Sequence, residues 1–479
     1  MRECLDDRVA ERKPVADLLG NGKKAYVALV MILGAIGSIP LVILTPPFQV
    51  PDEMRHFYRA YQLSEFQVRA EVQNGVAGGT LPDSLEQLVN SSVTTTDGIS
   101  YLATPAPIAN TLKLASIPLN PSQRRFVAFP GSAFYSPLPY LPPVLAIDVG
   151  RAIGLQPLYL LYLGRLFNCL AAVALLGLAV SFMPFAEELI ILVGLLPMSL
   201  YLYASLSADA AVIACALVFT AVSFSASARG SWGKWELCIA AVAGAVFCSV
   251  KPVYAPMLLA AVAPGAVRSG NAARMIRSQA ILLVIALGAA AGWLLVAKST
   301  MTTPLSGAHP LNQLNLIWRH PMLLVHVFAH TLSYSWLLTL YLESVGVFGW
   351  LTVLLRPGMV YVLPLISLLL LWWLGVRDPL EHRRTRRALW YVMLALASAV
   401  LVVVALYLMW EHVGQDSDLV VQGRYFIPIF GLAGMAAIEL LPQRPVSAPR
   451  WQRLASIAAI VVVEIAAMDS TIIRSFHIF

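Results

Sequence analysis

Charge is what this sequence has least of. Only 12% of its 479 residues are charged against 58% hydrophobic, and the mean hydropathy is +0.73. A soluble globular domain carries about 25% charge and needs it to face water, so a water-exposed globular surface is excluded. Ligand-type cysteine spacing is missing too. Of Cys4, Cys169, Cys215, Cys238 and Cys248, four lie inside apolar runs and no two form a CxxC pair. That supports neither a disulfide framework nor a zinc site. No glycine-rich phosphate loop and no GxGxxG follows a strand-like run, so a nucleotide site has no support. The net charge of +7 would suggest nucleic acid in a soluble protein. Here the basic residues lack the aromatic interleaving of strand binders, and no nucleic-acid partner is expected.

Long apolar runs are what the chain has instead. The charges gather between runs of roughly 17–25 residues, the length that spans a bilayer. These lie near 26–44, 158–180, 188–206, 209–228, 236–250, 252–267, 279–299, 358–376, 388–410, 425–441 and 454–473. The first ends in Thr45-Pro46-Pro47 with no small-residue cleavage site, which favours a retained span over a signal peptide. Residues 46 to about 136 are polar, and a loop of that length is expected to be functional. Two further segments are ambiguous. Residues 137–153 are studded with prolines, and 321–341 carry His326 and His330.

Charge placement arbitrates. If the ambiguous pair do not span, several basic loops fall on the side of Lys23-Lys24: Arg229/Lys234, Arg268/Arg274/Arg277, Arg377 to Arg387, and Arg444/Arg450/Arg453. The positive-inside rule prefers that arrangement. It predicts an all-α membrane protein of about eleven transmembrane helices, multi-pass, with its N-terminus inside. A cytoplasmic N-terminal segment (1–24) precedes a single transmembrane domain (25–479). Residues 46–157 form a long first periplasmic loop with juxtamembrane helices, and 300–357 form an outer-surface segment.

In that topology several costly residues share the outer face. Asp52, Glu53, Arg55 and His56 open the first loop, Asp209 follows Ser207, and Lys251 interrupts two runs. Arg424-Tyr425 precede the tenth span, and Arg165 lies a turn or two into the second. Ionisable residues at membrane depth are expensive and usually functional. Each also has a structural reading: Asp52 or Asp209 as a helix N-cap, with Ser207 competing, and Arg424 or Lys251 snorkelling to headgroups. Together they suit an anionic lipid head beside an activated hydroxyl, with a carboxylate as base and cations on a leaving phosphate. His326 and His330 share a helical face but lack a third ligand for zinc. Arg377–Arg387 reads as an anchor against anionic membrane lipids.

The run Thr45-Pro46-Pro47-Phe48-Gln49-Val50-Pro51-Asp52-Glu53-Met54-Arg55-His56 resembles the hallmark of a bacterial membrane family, domain of unknown function 2142. The similarity recurs in Tyr135-Ser136-Pro137-Leu138-Pro139-Tyr140, in Leu196-Pro197-Met198 with Ser205 and Asp209, and in Lys251 with Tyr254. It continues in Gly346-Val347-Phe348-Gly349-Trp350-Leu351 and Val421-Gln422-Gly423-Arg424-Tyr425-Phe426-Ile427-Pro428. Thr352 stands where that family often has an Asp-Thr pair after Trp-Leu.

That family is similar to the GT-C glycosyltransferases, whose first outer loop carries an acidic motif just after the first span. The resemblance implies a transferase moving sugar from a polyprenyl-phosphate donor to a cell-surface glycan or lipid. It implies catalytic roles for Asp52 and Glu53, with Asp209 positioning acceptor, metal or base. Lys251 and Arg424 would hold the donor phosphate, and His56 and Tyr425 would line the site with Arg165 nearby. No ligand spacing supports a metal, and a divalent cation stays open as a cofactor. A lipid or polysaccharide flippase and a non-catalytic component of a glycan-assembly complex are the alternatives.

Overall fold

Hydrocarbon offers backbone amides no partner, so the long apolar runs of this chain have to close their hydrogen bonds internally as helices. The computed structural model describes residues 21–92, 108–267, 270–302, 308–373, 384–416, 421–440 and 448–476. Cys4 and residues 1–20, Arg268, Arg377, Arg383, Asp418 and Arg444 lie outside the described residues. The architecture is that of an all-α membrane protein. Among the described residues, seven helices are long and apolar enough to cross a bilayer: Lys23–Leu44, Pro157–Phe182, Ala208–Arg229, Ala272–Thr300, Thr385–Trp410, Gly423–Leu440 and Arg450–Ser475. An eighth is added if Met322–Thr331 and Tyr334–Gly346, bent by 62° at their junction, count as one broken span.

Not every one of the eleven runs read from hydropathy is an unbroken helix of that length among the described residues, for identifiable reasons. The run 188–206 is two short helices, Glu187–Gly194 and Pro197–Tyr203. Pro197 has no N–H to continue the first of them. The run 252–267 is a 3₁₀ helix, Pro252–Val262, with prolines at 252 and 256. Lys234–Val250 has 17 residues, at the lower edge of the range that spans a bilayer. Hydropathy sees apolar content and not these breaks.

Ala208–Arg229 is the central helix: 89% of its apolar window is buried, against 22% for the peripheral Ala272–Thr300. The Pro157–Phe182 helix packs against both the first span and the central helix. Residues 46–157 hold more structure than a polar loop. Helix Glu53–Ser64 leads into strands β1 (Glu71–Gln73), β2 (Val76–Pro82) and β3 (Arg124–Ala128). They form one antiparallel sheet in the order β1-β2-β3, with Glu71 opposite Gly78 and Gly79 opposite Val127. The β1–β2 hairpin turns on Asn74-Gly75, whose φ values of 51° and 78° are the pair a two-residue I′ turn demands.

The proline-rich segment forms a 3₁₀ turn, Leu138–Tyr140, and the helix Leu141–Ala152. Twelve residues extend only about 18 Å. Leu141, Leu145 and Val149, four apart, are exposed, while Pro143, Ala146, Ile147 and Gly150 are buried. One apolar face packs on the protein and the other has no protein partner, the pattern of a helix lying in the membrane surface. The segment 321–341 is the bent pair, an unbroken span being absent there.

One ion pair ties this framework together. Arg165 and Glu53 are both fully buried, with side-chain exposures of 0%. Arg165 Nε donates to Glu53 Oε1 at 2.8 Å and its Nη2 to Oε2 at 2.6 Å. The remaining guanidinium protons reach the carbonyls of Val42, Thr45 and Pro46. Glu53 in turn accepts the backbone N–H groups of Phe48 and Leu206, each at 3.2 Å. Removing one partner strands a buried charge, at a cost of about 3–5 kcal/mol. Arg165→Met is therefore expected to lower the melting temperature of detergent-purified protein steeply. A melting curve superimposable on the wild type would show that the pair holds nothing together.

Candidate functional site

Asp52 occupies the N-cap position of helix Glu53–Ser64 but does not cap it. Its backbone is left-handed (φ 64°, ψ 1°) and its side chain makes no capping hydrogen bond. That conformation costs a non-glycine residue about 1–3 kcal/mol, a cost that persists where surrounding structure enforces it. Here the neighbouring Glu53 is locked by Arg165, and the Asp52 carbonyl accepts the N–H groups of Arg55 and His56 at 2.9 and 3.2 Å. The carboxylate turns outward. Its Oδ1 accepts Arg55 Nη1 at 2.9 Å, and its Oδ2 accepts Arg424 Nη2 at 3.1 Å.

The second carboxylate is freed by its neighbour. Ser207 Oγ accepts the Asp209 N–H at 3.1 Å and is the N-cap of the central helix, so the Asp209 side chain can pair elsewhere. It binds Lys251 Nζ, and its Oδ2 lies 3.7 Å from Arg424 Nε. Arg424, only 4% exposed, thus faces both carboxylates. Its Nη2 also donates to Tyr425 Oη at 3.2 Å, and Lys251 Nζ sits 4.1 Å from the centre of the Tyr425 ring. Tyr254 Oη donates to the Tyr425 carbonyl at 2.7 Å. His56 Nδ1 is 2.7 Å from Tyr140 Oη, and its ring stacks on Tyr135 at 6.0 Å.

These groups border a cavity of about 330 Å³. Asp52, Arg55, His56, Lys251 and Tyr425 supply polar lining. Leu294, Met301 and Val402, Leu406, Met409 and Trp410 of helix Arg384–Trp410 supply apolar lining. Asp209 and Arg424 join the polar group through Lys251 and Asp52. Of the residues the sequence proposed, the fold therefore gathers Asp52, His56, Asp209, Lys251, Arg424 and Tyr425. Glu53 and Arg165 face away and are used up by each other. Neither lines the cavity.

Burial alone would raise the Asp52 carboxyl, but the guanidiniums of Arg424 and Arg55 more than offset it and hold the group below its ordinary range. Burial pushes His56 down to about 4, against the opposing pull of Asp52 and Asp209, so it is neutral near pH 7. Burial likewise lowers Lys251, with Asp209 resisting. With His56 neutral, three cations (Arg55, Lys251, Arg424) face two carboxylates. Arg55 and Lys251 line the cavity, where cations can hold an anionic group with charge-assisted hydrogen bonds. Among the described residues no three His, Cys, Asp or Glu side chains converge on a metal position. His326 and His330 lie on Met322–Thr331, with the His330 ring 5.7 Å from Trp336, and neither lines the cavity.

Arg55 was named in the sequence as part of the loop but given no role. Its position three after Asp52 was the available signal, since i and i+3 side chains meet on a helix. Tyr135, Tyr140 and Tyr254 stood in motifs without an assignment. The apolar wall had no signal, because a residue facing a cavity and one facing lipid read alike.

The sequence profile of the family described as "Predicted membrane protein (DUF2142)" matches residues 36–433. Comparison with curated proteins and with solved structures returned no match.

The His56 shift carries a stability signature. Its folded value of about 4 lies below the ordinary 6.5, so the unfolded chain binds the extra proton first. Stability is then intact above about pH 6.5, falls as pH drops, and levels off below about 4, by up to about 3 kcal/mol from this group. The Asp52 contribution is lost only at lower pH, because its value is depressed from 3.8. Thermal melts at steps between pH 7 and 4 should fall for the wild type and flatten in His56→Gln. Parallel slopes for the two proteins would refute the assignment.

Proposed function

This chain belongs to the DUF2142 family of membrane proteins, and we propose that it is a glycosyltransferase of the bacterial inner membrane. In this reading it moves a sugar from a polyprenyl-phosphate carrier to a hydroxyl of a cell-surface glycan or lipid on the periplasmic face. The observation that carries the reading is the mixed lining of the cavity. Cations and a carboxylate share it with apolar side chains of a membrane helix, which suits a molecule with a phosphate head and a hydrocarbon tail.

The chemistry follows from the geometry. The acceptor oxygen attacks the sugar carbon bonded to the phosphate oxygen; the new carbon–oxygen bond forms as the old one breaks. Asp52 takes the acceptor proton. Its depressed basicity in the resting site has a use, because donor phosphate would draw Arg424 and Arg55 away and return basicity where the proton arrives. The phosphate leaves with its charge held by Lys251 and Arg424. Asp209 keeps those two cations in place, and neutral His56 with Tyr425 lines the sugar position. No step calls for a metal, and the carboxylates are already paired with cations.

A flippase reading would want ionisable groups through the depth of the bundle. Among the described residues, carboxylates past the first turn of the seven spanning helices are few: Glu439, which pairs with Arg387 at 3.1 Å, and Glu464 and Asp469 of Arg450–Ser475. The site charges instead collect at helix ends.

Purified protein given a radiolabelled polyprenyl-phosphate sugar and a glycan acceptor should release sugar from the carrier. Asp52→Asn should reduce release by roughly 10²–10⁴-fold, the usual worth of a positioned base. Transport of intact donor across vesicles without bond cleavage would favour the flippase, and unchanged release in Asp52→Asn would remove Asp52 from the chemistry. Lys251→Met should weaken donor use by about tenfold or more, as expected for one charge-assisted contact to phosphate. An unaltered KM and kcat for donor would place Lys251 outside the phosphate site.

A further inference from the structure

The segment Gly346-Val347-Phe348-Gly349-Trp350-Leu351 has no part in the chemistry above, yet it touches the site twice. It forms the turn of a small hairpin, β4 (Val347–Phe348) and β5 (Val353–Leu354), directly after helix Tyr334–Gly346. At the hairpin tip, Trp350 Nε1 donates to the Phe48 carbonyl at 3.0 Å. Tyr201 adds a bridge: its hydroxyl accepts Gly349 N–H at 3.1 Å and donates to the Gln49 carbonyl at 3.2 Å. Phe48 and Asp52, at either end of this five-residue turn, are both left-handed, so the turn leans on its supports.

The helix preceding the hairpin holds the other side. Glu343 Oε2 accepts the Gly423 N–H at 2.7 Å. Gly423 approaches so closely that a Cβ there would lie 2.0 Å from the Leu340 carbonyl oxygen and 2.6 Å from the Ser344 nitrogen. No side chain fits. The next residue is Arg424, and its ion pair with Asp52 at 3.1 Å closes the circuit.

We propose that helix Tyr334–Gly346 and its hairpin act as one rigid strut that sets the Asp52–Arg424 separation, with Glu343 and Trp350 as positioning residues. The proposal rests on the transferase reading for its purpose but not for its geometry. One element grips the turn before the carboxylate and the residue before the guanidinium, so neither partner moves without it. The strut replaces covalent linkage between two chain segments 372 residues apart.

Hydrogen exchange of the full-length protein in lipid nanodiscs tests this without any substrate. Glu343→Leu should speed exchange about tenfold, the worth of one net hydrogen bond, in peptides from 421–428 and also in 46–54, which Glu343 does not touch. Trp350→Phe, which keeps an aromatic ring and removes the donor, should do the same from the opposite end. Glu343→Gln, which retains an acceptor oxygen, should behave as the wild type. Acceleration confined to the directly contacted peptide in both variants would break the strut into two independent contacts and overturn the proposal. A wild type without transfer activity would count against the transferase, while the exchange result decides the strut by itself.

Discussion

The Arg165–Glu53 pair is the constraint on which the site depends. A guanidinium and a carboxylate with no solvent access are tolerable only when every donor and acceptor is used. Here they are used on four separate pieces of chain: the end of the first span, the turn 46–48, the second span and the approach to the central helix. The pair stitches together the segments that present Asp52 and Asp209. Its worth lies less in net stability than in fixing where two other carboxylates stand.

That division of labour explains why two adjacent acidic residues do different things. Asp52 stands just outside the helix in a left-handed backbone while Glu53 begins it, and their side chains part toward different partners. Nothing in the dipeptide says which one faces the cavity. The sequence placed both at the site because both lie beside a span on the same side. What decides between them is Arg165, 112 residues later, whose partner only the folded chain reveals. Asp209, Lys251 and Arg424 were legible for a better reason: each is a charge at the boundary of an apolar run, and alternation of the runs brings those boundaries to one face.

The fold was legible to a similar depth. Helical membrane architecture follows from composition and run length alone, and the proline-rich segment 137–153 is a short helix beside the bundle rather than a span. The count was less legible. Hydropathy averages over windows, so it reports 188–206 as one stretch, while the chain breaks at Pro197. The sheet formed by β1, β2 and β3 was hidden because β1 has three residues, β3 is mostly exposed, and β2 is buried in a run without alternation. The cavity wall was hidden for the opposite reason, being uniformly apolar.

The helix Leu141–Ala152 sits beside helix Glu53–Ser64 with leucines and a valine facing outward along its length. The same short helix thus carries an uncovered apolar face on one side and the scaffold of Asp52 on the other. Any surface that covers that face meets the charged cluster at a fixed offset, because the two are parts of one packed unit.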